Sequence, residues 1–153
     1  MKVERFPSNP IITPSLDKKI GTNINGPSLI RVPDWLPEPL GKYYLYFAHH
    51  KGKYLRLAYA DRLEGPWATY GPGVLDLEDS YFADSRDGHH VASPDVHVDD
   101  ARREVRMYYH GIVPEGGQRS RVAISKDAIN FTAAEETLGN SYFRVFRHGG
   151  YHY

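Results

Sequence analysis

The 153-residue chain contains no cysteine, which excludes disulfides and thiolate metal sites and leaves the redox compartment open. Neither charge is in excess: Lys plus Arg and Asp plus Glu number 19 each. A protein that tracks a phosphate backbone needs a basic surface, so the balance argues against a nucleic-acid partner. No apolar run approaches the roughly 18 residues that span a bilayer. The opening MKVERFPSNP has no apolar core of the kind a secretory signal carries. These absences set the expectation of a cytoplasmic protein with no membrane partner. Helical periodicity is nearly missing too. The sequence holds no HExxH pair, no glycine-rich phosphate loop and no GxSxG elbow.

What is present is aromatic and turn-rich. There are 12 tyrosines and 8 histidines, and tyrosine favours both strands and surfaces that hold amphipathic ligands such as sugars. KYYLYFAHH (42–50) and YLRLAYA (54–60) read as two strands of a hairpin around the turn KGK. DRLEGPW breaks the pattern at Gly65 and Pro66, and Trp67 offers a large apolar anchor. PDVHVDD, EVRMYYHG and SRVAIS read as further strands, and YFRVFR with Gly149–Gly150 and YHY starts another hairpin. DDARREV and TAAEETLG are each a short helical turn or a solvated loop. The fold class is all-β.

The chain repeats itself. Pro27 matches Pro94 at an offset of 67, YLYF at Tyr44 matches RMYY at Arg106 at 62, and LRLAYA at Leu55 matches SRVAIS at Ser120 at 65. Three strands in one order at nearly constant offset fit the antiparallel blade of a β-propeller. Blade 1 then covers about 22–75 and blade 2 about 88–135, with the start of blade 3 at about 141–153. A closed propeller takes at least four such blades, so the expectation is a partial propeller of about two and a half four-stranded blades. Such a fragment would lack a neighbour over the flank of its first blade. Exposed edges and faces of that kind favour self-association.

NGPSLIRVPDW, GKYYLYFAHHKGKYLRLAYADRLEGPW and ASPDVHVDDARREVRMYYHG together resemble the five-bladed β-propeller glycoside hydrolases, in the group that includes families 43 and 117. The resemblance covers nearly the whole chain and about half of such a domain. It implies that GPSLIR and SPDVHV are innermost strands of successive blades, heading an axial pocket that binds sugar. Glycosidic hydrolysis generally needs two carboxyl groups flanking the bond. In family 43 the base is an Asp preceding Pro in the first innermost strand, where this chain has Gly26–Pro27. The family's acid, a Glu, lies in a later blade. Family 117 enzymes are thought to use a histidine as acid, and histidine suits proton donation near neutral pH.

The candidate residues follow from this layout. Asp95 matches an aspartate of the second blade near the pocket and is the catalytic candidate; otherwise it caps a turn. His97 is two residues on and shares its face of the strand, as an acid/base partner, a ligand or a packed histidine. Asn25 heads the first innermost strand, and Arg144 begins the third. His50 ends the second strand, and His90 leads into the third strand group as H-x-A-S-P. Asn25, His50, His90, His97 and Arg144 are the substrate-binding candidates, with Asn25, Asp95 and Arg144 expected to converge on one side. No metal site is assigned and no cofactor is required, although the resemblance allows a divalent cation near the propeller axis. Two functional classes stay open: a glycosidase, or a carbohydrate-binding or degenerate propeller without the first-blade Asp.

Overall fold

The computed structural model describes residues 2–82 and 88–153. Two antiparallel sheets follow one another along the chain. The first has the order β1 (Ile24–Arg31), β2 (Tyr43–His49), β3 (Tyr54–Ala60), β4 (Ala68–Asp76). The second runs β5 (Val91–Asp99), β6 (Glu104–Ile112), β7 (Gln118–Ser125), β8 (Thr132–Ala133), and β9 (Gly139–Asn140) also pairs with β7. β8 and β9 lie on opposite halves of β7, so the outer strand of this sheet is split by residues 134–138. A short hairpin, β10 (Arg147–His148) with β11 (Tyr151–His152), forms a separate two-stranded sheet. No helix occurs among the described residues. The fold is all-β, in successive antiparallel sheets.

The ladders carry the sequence repeat. Tyr46 faces Ser28 and Leu57 in the first sheet, and Tyr108 faces Asp95 and Val122 in the second. In both sheets the pairing of the innermost strand slips at its proline, between Asn25 and Ser28 and between Ala92 and Asp95. Asp95 therefore corresponds to Ser28, and Asn25 to Ala92. Asn25 and Asp95, expected to converge, thus occupy different positions in their two strands.

Period-two alternation puts Tyr44, Tyr46 and Ala48 on one face of β2 and Tyr43, Leu45 and Phe47 on the other. The first set joins Leu55, Leu57, Val74, Val105, Met107 and Tyr109 in a core shared by both sheets. The second set packs with Ile20, Ala58, Ala60 and Trp67, and Ile11, Ile12 and Ile24 lie against them. Residues 11–24 thus cover the flank of the first sheet, which the sequence reading left bare. Four isoleucines spread over a mostly polar arm carry too little periodicity to announce that role.

β4 supplies the fourth strand expected of the first blade, although Gly71, Pro72 and Gly73 interrupt it and kept its residues from being read as a strand. Its register against β3 slips between Leu55 and Leu57, so the interruption is a bulge on an edge strand, where Pro and Gly are tolerated.

Candidate functional site

The innermost strands meet at their bulges. Gly26 has a φ of +60° and Ser93, its equivalent, a φ of +50°. Both are in the left-handed region, which is unfavourable for a residue with a side chain. A Cβ on Gly26 would lie 2.7 Å from Ser93 Cα, so the two backbones touch here. Across the same junction the Val96 N–H donates to Ser28 Oγ at 2.8 Å.

Beyond the second bulge, Asp95 and His97 emerge on one face of β5. His97 Nε2 is 2.9 Å from Asp95 Oδ2, and its ring meets Tyr108 edge-on at 6.0 Å. The Val145 N–H donates to the same Asp95 oxygen at 2.8 Å. Arg144 Nη1 donates to Ser93 O at 3.3 Å and to Phe143 O at 3.0 Å. The stretch 142–145 is thereby tied to the Asp95 bulge, and Asp95, His97 and Arg144 come together.

His110 lies on the same face of β6 as Tyr108. It is 2% exposed, and among the described residues its buried Nδ1 has no hydrogen-bond partner. The Tyr142 ring covers it at 4.4 Å and the buried His90 approaches edge-on at 6.1 Å. Tyr142 itself holds a left-handed φ of +65°. Burial, and after it the charges of His90 and Arg144, lower the His110 pKa to about 4, so its imidazole is neutral near pH 7. Neutral imidazole offers one donor and one acceptor.

The remaining candidates stand differently. His90 joins the group through His110, and its Nδ1 is 2.9 Å from Gly88 O. Asn25 is half-buried and its Nδ2 donates to Asn23 O at 3.4 Å. His50 is exposed in the β2–β3 turn, its backbone N–H bonded to Asn23 O at 2.9 Å. Neither has a bond to the Asp95 group. His110 and Tyr142 were missed by sequence reading. The His in MYYHG, at the end of a strand equivalent to YLYFA, was the available signal for the first. Among the described residues no group of three or more His, Asp or Glu side chains is placed to hold a metal ion, and Asp95, His90 and His97 do not form one. Among the same residues no helix is long and apolar enough to cross a membrane.

No family model matches the chain. An uncharacterized protein of Acanthamoeba polyphaga mimivirus is 39% identical over 171 residues, covering 99% of this chain and 48% of that protein. The chain thus spans about half the length of the curated relative it matches. Among solved structures it is similar to a family 43 β-xylosidase/α-arabinofuranosidase from a compost microbial metagenome, in complex with xylotriose, at TM-score 0.63 and 20% identity, over 85% of this chain and 41% of that one. A family 43 enzyme from Xanthomonas citri gives TM-score 0.64 at 17% identity, over 85% and 38%. An α-L-arabinofuranosidase from Clostridium thermocellum gives 0.60 at 20%, over 83% and 40%. At these identities the likeness is one of fold: the chain has part of the β-propeller of these glycoside hydrolases.

Proposed function

We propose that this chain forms two blades and the start of a third in a five-bladed propeller that acts on carbohydrate, with the Asp95 group lining the sugar pocket. The observation that carries this reading is the bulge after Pro94, where Asp95, His97 and Arg144 are held together beside a buried histidine whose Nδ1 has no hydrogen-bond partner among the described residues. Asp95 is the acid/base candidate. His97 and the Val145 N–H orient its carboxylate, and His90, His110 and Arg144 bind hydroxyls. Asn25 and His50 contribute, in this reading, from the first blade and its β2–β3 turn. A divalent cation at the axis would draw on residues beyond those grouped here.

A second reading has its own support. Family 43 enzymes would place a carboxylate at Gly26, and the 2.7 Å approach to Ser93 Cα leaves no room for one. The propeller would then bind sugar without cleaving it. Assay of the protein with aryl glycosides and oligosaccharides, in parallel with calorimetric binding, separates the two. Turnover that Asp95→Asn abolishes, with circular dichroism unchanged, supports the hydrolase. Binding without turnover supports the lectin-like reading, and neither overturns both.

The exposed aromatics Tyr142, Phe146, Tyr151 and Tyr153 support self-association of the chain through the side where a further blade would pack.

A further inference from the structure

The repeat supplies an internal comparison for the face that carries Asp95. Aligned through their ladders, Ile30, Tyr44 and Ala48 of the first sheet correspond to His97, Arg106 and His110 of the second. The first set is buried in the core shared by the two sheets. On the second sheet the same face has exchanged that apolar seat for two imidazoles and a guanidinium, so what it contacts best is polar.

Residues 142–145 lie over this face and leave a cleft of about 430 Å³, lined by Tyr108, Tyr142, Phe143, Arg144, Val145 and Tyr153. Its size falls within the ~300–1,000 Å³ of small-ligand sites. Tyr142 leans on His110 at 4.4 Å and Tyr153 stacks on Phe146 at 5.3 Å. Both are 62% exposed, so each ring keeps surface to offer a ligand. Arg144 is the single charged side chain in the lining, and it is exposed. Its Nη1 donates to Ser93 O and Phe143 O at 3.3 and 3.0 Å, which steadies the guanidinium through one nitrogen. Arg106 uses its Nε–Nη2 edge to grip Glu104 Oε1 at 2.9 and 2.7 Å. Among the described residues that edge of Arg144 has no such carboxylate.

We propose that this cleft takes a carbohydrate bearing a carboxylate, a uronic acid unit, with the sugar ring on Tyr142 and Tyr153 and the carboxylate on the Nε–Nη2 edge of Arg144. Resting on the carbohydrate reading above, this gives Arg144 a carboxylate to hold in place of a hydroxyl. A planar guanidinium and a carboxylate pair bidentately, and a tyrosine ring offers the apolar surface that sugar C–H groups cover. No acidic side chain lines the cleft to repel such a ligand. Asp95, on the same face, is already engaged by His97 and the Val145 N–H. One guanidinium balances one negative charge, which favours a uronate over a multiply charged sugar.

Titration of the chain followed by NMR compares glucuronate with glucose and acetate. It is run at a dilution where the chain is monomeric, because Tyr153 also belongs to the exposed aromatic side. Glucuronate is expected to bind about 10–100-fold more tightly than glucose, the span of a hydrogen-bonded charge, and more tightly than acetate, which lacks the ring. The preference over glucose shrinks as salt rises. Arg144→Gln brings glucuronate down to the level of glucose, Arg144→Lys keeps part of the difference, and Tyr142→Ala weakens both sugars alike. In the wild type the Arg144 Nε–H resonance moves with glucuronate and stays still with glucose, a readout that requires no variant to fold. Equal affinity for the two sugars, a preference that survives in Arg144→Gln, or acetate as tight as glucuronate overturns the proposal. If a neutral oligosaccharide then still binds, and Asp95→Asn abolishes its binding, the carbohydrate reading stands without the acidic ligand. If no sugar binds at all, both fall.

Discussion

Replacing Gly26 by alanine probes the junction on which the site is built. Two costs add. A side chain at a φ of +60° carries a left-handed penalty of about 1–2 kcal/mol. The new Cβ would also lie 2.7 Å from Ser93 Cα, well inside ordinary contact. That neighbour is backbone and cannot swing aside, so β1 and β5 must move apart, at an overpacking cost of about 1–3 kcal/mol. The sum, ~2–5 kcal/mol, lowers the melting temperature by ~4–20 °C for a chain of this size. Gly116 is the control. Its φ is +92° and a Cβ there meets nothing within 4 Å, so Gly116→Ala pays only the backbone penalty. That φ is further from the left-handed minimum than the φ of Gly26, which makes the comparison conservative. Urea and thermal unfolding of both variants measure the difference. Equal losses would refute the claim that the blades touch at Gly26. Gly26→Asp, which introduces a carboxylate at this position, is expected to lose at least as much stability and to gain no hydrolysis.

Protonation of His110 gives a pH signature. Its pKa is lowered to about 4 by burial first, then by His90 and Arg144, against about 6.5 in the unfolded chain. The unfolded state binds the proton more readily, so stability is unaffected above pH 6.5 and falls as pH drops towards 4, by ~3 kcal/mol in all; urea titrations should show this loss in the wild type and not in His110→Gln. Tyr46 is fully buried and donates to Ala128 O at 2.8 Å across the two sheets. Tyr46→Phe leaves that carbonyl without its donor and is expected to cost ~1–3 kcal/mol in chemical denaturation. If the exposed aromatic side mediates association, Phe146→Ser with Tyr153→Ser shifts the chain to later elution in size-exclusion chromatography, and an unchanged profile argues against it.

The strands and their repeat were legible because tyrosine-rich, alternating segments recur at 67, 62 and 65 residues, and the ladders align the same residues. Local pattern could not disclose contacts made at long range. Tyr142 reaches His110 only because the chain returns over the face of β6, and nothing near His110 in sequence announces that. Arg121 looked like an ordinary strand residue; its burial against Phe82 is a long-range contact that local pattern does not show. β4 hid behind Pro72 and Gly73 because a bulged edge strand uses turn residues. The pairing of Asp95 with His97 was readable, since two residues apart on a strand places both side chains on one face.

The core shared by the two sheets has a consequence for how such a chain can evolve and fail. Tyr46 of the first sheet ends on Ala128 of the second, the Phe131 N–H donates to Val74 O at 3.4 Å, and Trp35 Nε1 donates to Asp100 Oδ1 at 2.9 Å. The β2–β3 turn reaches across as well, where Lys53 Nζ donates to His89 O at 2.8 Å. The repeat is a unit of sequence, and the pair is the unit of cooperativity. A single blade excised from this chain would expose half an interior, and a duplicated one would arrive without its neighbour's donors. Pulled from its ends, the molecule should release both sheets in one rupture, because breaking either removes the wall against which the other is packed.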